Sequence, residues 1–249
     1  MNNELSTFSK QNLEKLRALR LHGMAKAYEN QLLNESNYSQ IAFDDRFHDL
    51  ILREECSKQD RAYNRLLKQA DLKYMTSFEE LHFTPGDGVS VDMLHYLTSG
   101  NWFFISKTNI IIQGPCGTGK TALACCLLNN MAKQGLHVRF LRTGDLCEAV
   151  NIYQQNPLER KKYLDKLVKY EILALDDFGA SPFNEPILCF LFDLIDRRLP
   201  SRPIIITSQK GVMDYRLLLG GDSRAEGMVD RLTKPSKVIT LTGDSKRHV

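Results

Sequence analysis

The chain predicts an α/β fold, a parallel sheet with helices on both faces, preceded by a small all-helical segment. Three observations carry this. Gly114-Pro115-Cys116-Gly117-Thr118-Gly119-Lys120-Thr121 fits G-x-x-x-x-G-K-[ST] at every fixed position, between an apolar run and a helical stretch. From there onward, apolar runs alternate with helical stretches, as crossover-linked parallel strands do. Before residue 70 the periodicity is helical.

Leu13, Leu16, Leu19, Met24, Tyr28 and Leu32 recur at helical spacing, with Lys15, Arg17, Arg20 and Lys26 between them. This reads as one amphipathic helix, weakened by Gly23. Residues 34–40 are polar and read as a turn. Phe43, Phe47, Leu50 and Ile51 open a second helix, with Asp44 and Asp45 favourably near its N-terminus. It runs on to Gln69, and its later part carries Lys58, Arg61, Arg65 and Lys68 against few acids. Two readings of that basic face stand: a solvated surface, or a contact for nucleic acid. The boundary falls near residue 70, giving a helical domain over 1–70 and a second domain over 71–249. Thr84 to Gly88 read as a loop, and Phe78 and Phe83 as packing for the connector. Met93, Leu94, Tyr96 and Leu97 suggest a helix before the first strand.

Asn109-Ile-Ile-Ile-Gln113 is a buried strand and Ala122 to Lys133 a helix. His137 to Arg142 is a strand, and Asp145 to Tyr153 and Leu158 to Lys169 are helical. Glu171 to Leu175 is a buried strand ending in Asp176-Asp177. Ile187 to Arg197 is an apolar helix, Arg202 to Thr207 a strand, and Lys237 to Leu241 the last strand.

Composition sets limits on function. At 43% hydrophobic and 25% charged, with net charge +3, the chain has the make-up of a soluble globular protein. The basic balance permits nucleic-acid binding without requiring it. Six cysteines (Cys56, Cys116, Cys125, Cys126, Cys147, Cys189) form no C-x-x-C pair and read as small buried hydrophobes in a reducing compartment. The N-terminus has no apolar signal core, and no uncharged run is long enough to span a membrane. The expected location is the cytoplasm.

The chemistry begins at the glycine-rich loop. Its glycines let backbone N–H groups converge on phosphate oxygens at a helix N-terminus, with Gly114 through Ala122 as the binding segment. Lys120 would reach the β- and γ-phosphates, and the Thr121 hydroxyl would bind Mg²⁺. Asp176 and Asp177 end a buried strand, at the edge where ligands of open α/β sheets bind. Asp176 would hold Mg²⁺ and Asp177 would orient the attacking water. Many ATPases place Glu at this second position, and Asp is one methylene shorter. Thr207-Ser208-Gln209 ends another strand; Ser208 there can bond the γ-phosphate or the water, or the stretch is ordinary loop polarity. Arg231, in Asp230-Arg231-Leu232, is either internally paired or an arginine finger for a neighbouring subunit.

With these elements placed, the chain resembles the IstB-like helper ATPases of bacterial insertion-sequence transposition, within the AAA+ superfamily and near the DnaC loaders and DnaA initiators. Leu19-Arg-Leu-His-Gly-Met-Ala25 resembles the family opening, Phe43-Asp-Asp-Arg46 its F-x-[ED]-R segment and Ser77-Phe-Glu-Glu-Leu81 its connector. Gly114 to Thr121, Leu175-Asp-Asp-Phe-Gly179 and Ile206-Thr-Ser-Gln209 resemble its phosphate loop, acidic strand end and sensor strand. Asp230-Arg-Leu232 and Gly243-Asp-Ser-Lys-Arg247 resemble its last two motifs.

The resemblance implies an AAA+ P-loop core with a five-stranded parallel sheet in the order 5-1-4-3-2. It also implies no C-terminal lid, in keeping with the eight residues after Leu241. It implies ATP and Mg²⁺ as ligands, binding of double-stranded DNA without sequence preference, a homo-oligomer on DNA and a cognate transposase as partner. Arg231 becomes a trans arginine finger, and Arg247 serves the nucleotide or a subunit contact. ATP would drive assembly, and its hydrolysis disassembly. Three rivals remain: a DnaC-like helicase loader, an ATP-gated DNA scaffold with negligible turnover, and a small-molecule kinase, for which no acceptor or lid segment is found.

Overall fold

The Ser6 side chain accepts a hydrogen bond from Ser9 N at 3.1 Å and starts the first helix, α1 (Thr7–Ala18). The coordinates are a computed structural model, which describes residues 6–81, 83, 85–199 and 201–243. A second helix, α2 (His22–Leu33), follows a break at Arg20, whose φ of 61° is left-handed. The single helix expected over this stretch is therefore two. The reason lies in packing that periodicity does not report. A Cβ on Gly23 would lie 2.4 Å from the Arg53 carbonyl oxygen, so the α2 N-terminus touches the backbone of a later helix. That helix is α4 (Phe43–Ala70), which follows the short α3 (Glu35–Tyr38) at the expected turn.

Glu54 on α4 caps α2 from outside. Its Oε2 accepts from Gly23 N at 2.8 Å and Met24 N at 3.1 Å, and its Oε1 accepts from Arg61 at 3.0 Å. Burial by itself would raise the Glu54 pKa. The bonds from Met24 N, Arg61 and Gly23 N, with the Arg61 charge, outweigh burial and lower it.

The chain divides into two compact units, the first ending at Arg65 and the second starting at Leu66. The last turn of α4, with Leu66 and Ala70 buried, thus belongs to the second unit. There, Arg139 bonds Gln69 O at 3.1 Å and pairs with Asp71 at 2.7 Å.

The second unit continues with α5 (Val91–Thr98), α6 (Asn101–Phe104), β1 (Asn109–Gln113), α7 (Lys120–Lys133) and β2 (Val138–Arg142). Then come α8 (Thr143–Ile152), α9 (Pro157–Lys169), β3 (Ile172–Asp176), α10 (Glu185–Arg198) and β4 (Ile204–Ser208). It closes with α11 (Tyr215–Leu218), α12 (Ser223–Thr233) and β5 (Ser236–Thr240). The five strands are parallel and ordered β2-β3-β4-β1-β5, which is 5-1-4-3-2 read from the other edge. The inner strands β3 and β4 are buried throughout and β1 up to Gln113, which is why they read as unbroken apolar runs. The edge strand β5 is largely exposed. The helices α6, α11 and α12 add to the elements expected; α12 starts where Asp222 accepts from Ala225 N at 2.8 Å.

Two buried polar side chains lock the end of the sheet where the strands begin. Asn109 accepts from Ile204 N at 3.0 Å and donates to Leu232 O at 3.1 Å, joining β1, β4 and α12. Arg198, 1% exposed, donates to Leu167 O and Tyr170 O at 2.8 Å and to Pro203 O at 3.1 Å. Among the described residues, no helix is long and apolar enough to cross a membrane.

Two outcomes are expected for the first unit. Gly23→Ala should lower the free energy of unfolding by about 1–3 kcal/mol, read from the denaturant midpoint, because the new methyl overpacks against α4. The contribution of Glu54 is full above the ordinary glutamate pKa. It is lost as pH falls through the lowered folded value. Thermal melts of Glu54→Gln should therefore show a shallower acid limb than the wild type.

Candidate functional site

The phosphate loop joins the end of β1 to the start of α7. At Gly114, φ is 146° and a Cβ would lie 2.2 Å from Leu241 O, so only glycine fits beside the chain leaving β5. Gly114 N donates to Ser208 O at 3.2 Å and Leu241 N to Gln113 O at 2.8 Å, which ties the loop entrance to strands on both sides. Thr118 Oγ1 closes the loop on Pro115 O at 3.0 Å. Gly119, at φ 93°, is the N-cap of α7, so the first turn, Lys120 to Ala122, points its backbone N–H groups out of the helix end. Lys120 Nζ donates to the carbonyls of Gly114 at 2.8 Å and Pro115 at 2.6 Å, lying along the loop it would serve. Cys116 is exposed on the loop and Cys56 on α4, against the expectation that all six cysteines are buried. Cys125 and Cys126 on α7 are buried; burial pushes the Cys126 thiol up to about 12.

Asp176 is fully buried at the end of β3. Its Oδ1 accepts from Thr121 Oγ1 at 2.9 Å and from Thr207 Oγ1 at 2.6 Å. Its Oδ2 is buried without a hydrogen-bond partner. An orphaned carboxylate oxygen beside a loop threonine hydroxyl is a hard oxygen donor set, and it suits Mg²⁺. Asp177 follows at φ 55°, a left-handed conformation that costs a non-glycine residue about 1–3 kcal/mol. Asp177 N donates to Thr207 Oγ1 at 3.0 Å and Phe178 N to Thr207 O at 2.8 Å. Asp177 is partly exposed and borders two clefts. One, of about 560 Å³, also has Arg142, Thr143 and Asn184 in its wall; the other, of about 250 Å³, has Gln209 and Lys210.

The structure does not bring Ser208 to these carboxylates. Side chains alternate along β4, and Ser208 is on the opposite side from Thr207. Its buried hydroxyl donates to Phe178 O at 2.7 Å and accepts from Lys210 N at 3.0 Å, so it holds backbone. Thr207 is the strand-end residue that reaches Asp176. The signal available in the sequence was that same alternation, applied to a carboxylate on the neighbouring strand.

Arg231 is in the last turn of α12, next to the start of β5, whereas the loop is at the strand's other end. It pairs with Asp196 at 2.7 Å and its guanidinium is 5.4 Å from the centre of the Phe192 ring. It is remote from the phosphate loop of its own chain. Lys58, Arg61, Arg65 and Lys68 are exposed along α4. Glu54 lies 3.9 Å from Lys58 and 3.0 Å from Arg61, which offsets part of that charge. Arg247 lies outside the described residues.

A five-stranded parallel sheet with this loop, acidic strand end and strand order defines an AAA+ P-loop ATP-binding core. The profile described as "IstB-like ATP binding protein" matches residues 14–249, and the chain belongs to that family. A Pseudomonas fluorescens protein of insertion sequence IS1162, named for ATP binding, is 36% identical over 198 residues, covering 79% of this chain and 84% of that one. Among solved structures, DnaI aligns with a TM-score of 0.56 at 16% identity, over 67% of this chain and 91% of that chain. AMPPCP-bound DnaA from Aquifex aeolicus also aligns at 0.56, with 22% identity, over 71% of this chain and 53% of that chain. These likenesses show the fold.

Two measurements check the loop. Lys120→Ala should weaken ATP binding by about 100-fold in a titration with fluorescent nucleotide, through loss of a charge-assisted phosphate contact. Maleimide should label Cys56 and Cys116 readily and leave Cys125 and Cys126 unmodified in the native state, and ATP should protect Cys116 alone.

Proposed function

We propose that this chain is an ATP-dependent, DNA-binding helper of insertion-sequence transposition, which assembles with ATP on duplex DNA and recruits the transposase of its element. One observation carries the nucleotide part. The buried Asp176 carboxylate, with one oxygen orphaned, faces the Thr121 hydroxyl at the mouth of a phosphate loop. The insertion-sequence context of the relatives supports the rest.

In this reading the backbone N–H groups from Cys116 to Ala122 and the Lys120 ammonium bind the phosphates, while Gly114 N holds the loop to Ser208 O. Thr121 and Asp176 hold Mg²⁺, which when bound neutralises phosphate charge. Asp177 orients water for attack on the γ-phosphorus, giving ADP and inorganic phosphate. Its short side chain makes turnover slow and keeps a scaffold with negligible hydrolysis as the second reading. Arg231 acts in trans. It meets a neighbour's γ-phosphate by exchanging its pairing with Asp196 for that contact; its position at the far end of the sheet from its own loop supports this reading. ATP thereby favours the assembled state, and hydrolysis releases it.

DNA is held through its phosphates by basic side chains, with Lys58, Arg61, Arg65 and Lys68 on α4 as candidates, and the assembly bends it. A helicase loader would share the nucleotide site. Capture of a hexameric helicase in preference to the element's transposase would favour that assignment.

Electron microscopy with duplex DNA tests the proposal. Ordered assemblies are expected with ATP and absent with ADP; a monomer in both, with DNA affinity indifferent to nucleotide, would refute it. DNA affinity should fall by at least about tenfold between 50 and 200 mM salt and vary little with sequence. Arg231→Ala should keep ATP affinity within about threefold while phosphate release falls by about 10³-fold or more.

A further inference from the structure

Thr207 stands between the two carboxylates of the site. Its hydroxyl has one proton to give and lone pairs to accept with. The proton goes to Asp176 Oδ1 at 2.6 Å, and a lone pair accepts from Asp177 N at 3.0 Å. Its carbonyl accepts from Phe178 N at 2.8 Å. The residue is fully buried in β4, an inner strand bonded to β1 on one side and β3 on the other. Its position is therefore set by the sheet.

We propose that Thr207 is a positioning residue: its hydroxyl ties the carboxylate that faces the metal to the backbone of the carboxylate that faces water. Unlike the loop glycines, Asp177 is a site residue with a side chain that is held in the left-handed region, at φ 55°. The backbone hydrogen bond to Thr207 compensates that conformation and fixes where the short Asp177 side chain starts. A side chain one methylene shorter than glutamate has less freedom to correct a misplaced backbone. Because Thr121 shares the same Asp176 oxygen, at 2.9 Å, loading of the loop is coupled through Asp176 and Thr207 to the backbone at 177. The catalytic consequence rests on the reading of Asp177 as the water-orienting group; the placement of Asp177 by Thr207 does not.

The test uses the full-length protein and two variants. Thr207→Val keeps the shape and loses the hydroxyl, whereas Thr207→Ser keeps the hydroxyl. With ATP and Mg²⁺, T207V should release phosphate about 100-fold more slowly at saturating ATP, the scale expected for a misplacement near 1 Å. Its ATP affinity should fall by less than turnover does, about tenfold at most, because Lys120 and the loop backbone are untouched. T207S should recover turnover, which a merely volumetric role for the residue would not produce. T207V turning over like the wild type, or T207S as slow as T207V, overturns the proposal. Crystal structures of both variants give a readout that needs no turnover. Asp177 should leave the left-handed region in T207V and keep it in T207S; an unchanged Asp177 backbone in T207V overturns the proposal. Should the wild type itself release no phosphate, the water-orienting reading fails, and the crystal structures alone decide on Thr207.

Discussion

A carboxylate in the middle of a parallel sheet is costly unless its lone pairs are met, and Asp176 is where this fold meets that demand. It is fully buried, yet its supporting donors are two neutral hydroxyls, Thr121 from the phosphate loop and Thr207 from β4. Both reach the same oxygen. The arrangement holds together the loop after β1, the end of β3 and the end of β4, which are far apart in sequence. It also leaves Oδ2 without a hydrogen-bond partner, and a buried unsatisfied carboxylate oxygen is a reason to bind a cation. Stability and ligand binding are thus set against each other at one side chain, the usual cost of a preorganised site.

The strand order follows from the same requirement. With β4 between β3 and β1, Thr207 can touch the β3 carboxylate while the neighbouring Ser208 carbonyl accepts from Gly114 N in the loop. The two faces of one strand end thereby serve two tasks: Thr207 supports the carboxylates, and the Ser208 hydroxyl supports the turn through Phe178 and Lys210. Arg231 is at the other end of the sheet, where Asn109 joins β1 to α12. One chain therefore presents a phosphate loop at one end of the sheet and the Arg231 guanidinium, paired with Asp196, at the other.

The candidate nucleotide site is legible because its parts are local in sequence. A loop of fixed spacing, an apolar run ending in two acids and a polar strand end all declare themselves within a few residues. The inner strands were legible because burial on both faces leaves unbroken apolar runs. What periodicity missed depends on contacts between distant segments. Gly23 looked like a weak point in one helix, whereas it is the close contact of a second helix with α4, capped by Glu54 thirty-one positions later. Arg198, one residue past the helix expected over Ile187 to Arg197, is buried among backbone carbonyls of segments on either side. Ser208 is the hydroxyl expected at the site, and the structure gives that place to its neighbour Thr207, on the opposite face of β4. The short helices α6 and α11, four residues each, carry too few positions for a period to show.

With its orphaned oxygen, Asp176 should make nucleotide binding depend on a divalent cation. Calorimetric titration of ATP into the wild type and Asp176→Asn, each with Mg²⁺ and with EDTA, measures that dependence. Mg²⁺ should tighten ATP binding to the wild type by at least about tenfold and leave Asp176→Asn nearly unchanged, as removal of a charged metal ligand requires. Equal Mg²⁺ dependence in the two proteins would remove Asp176 from the cation site.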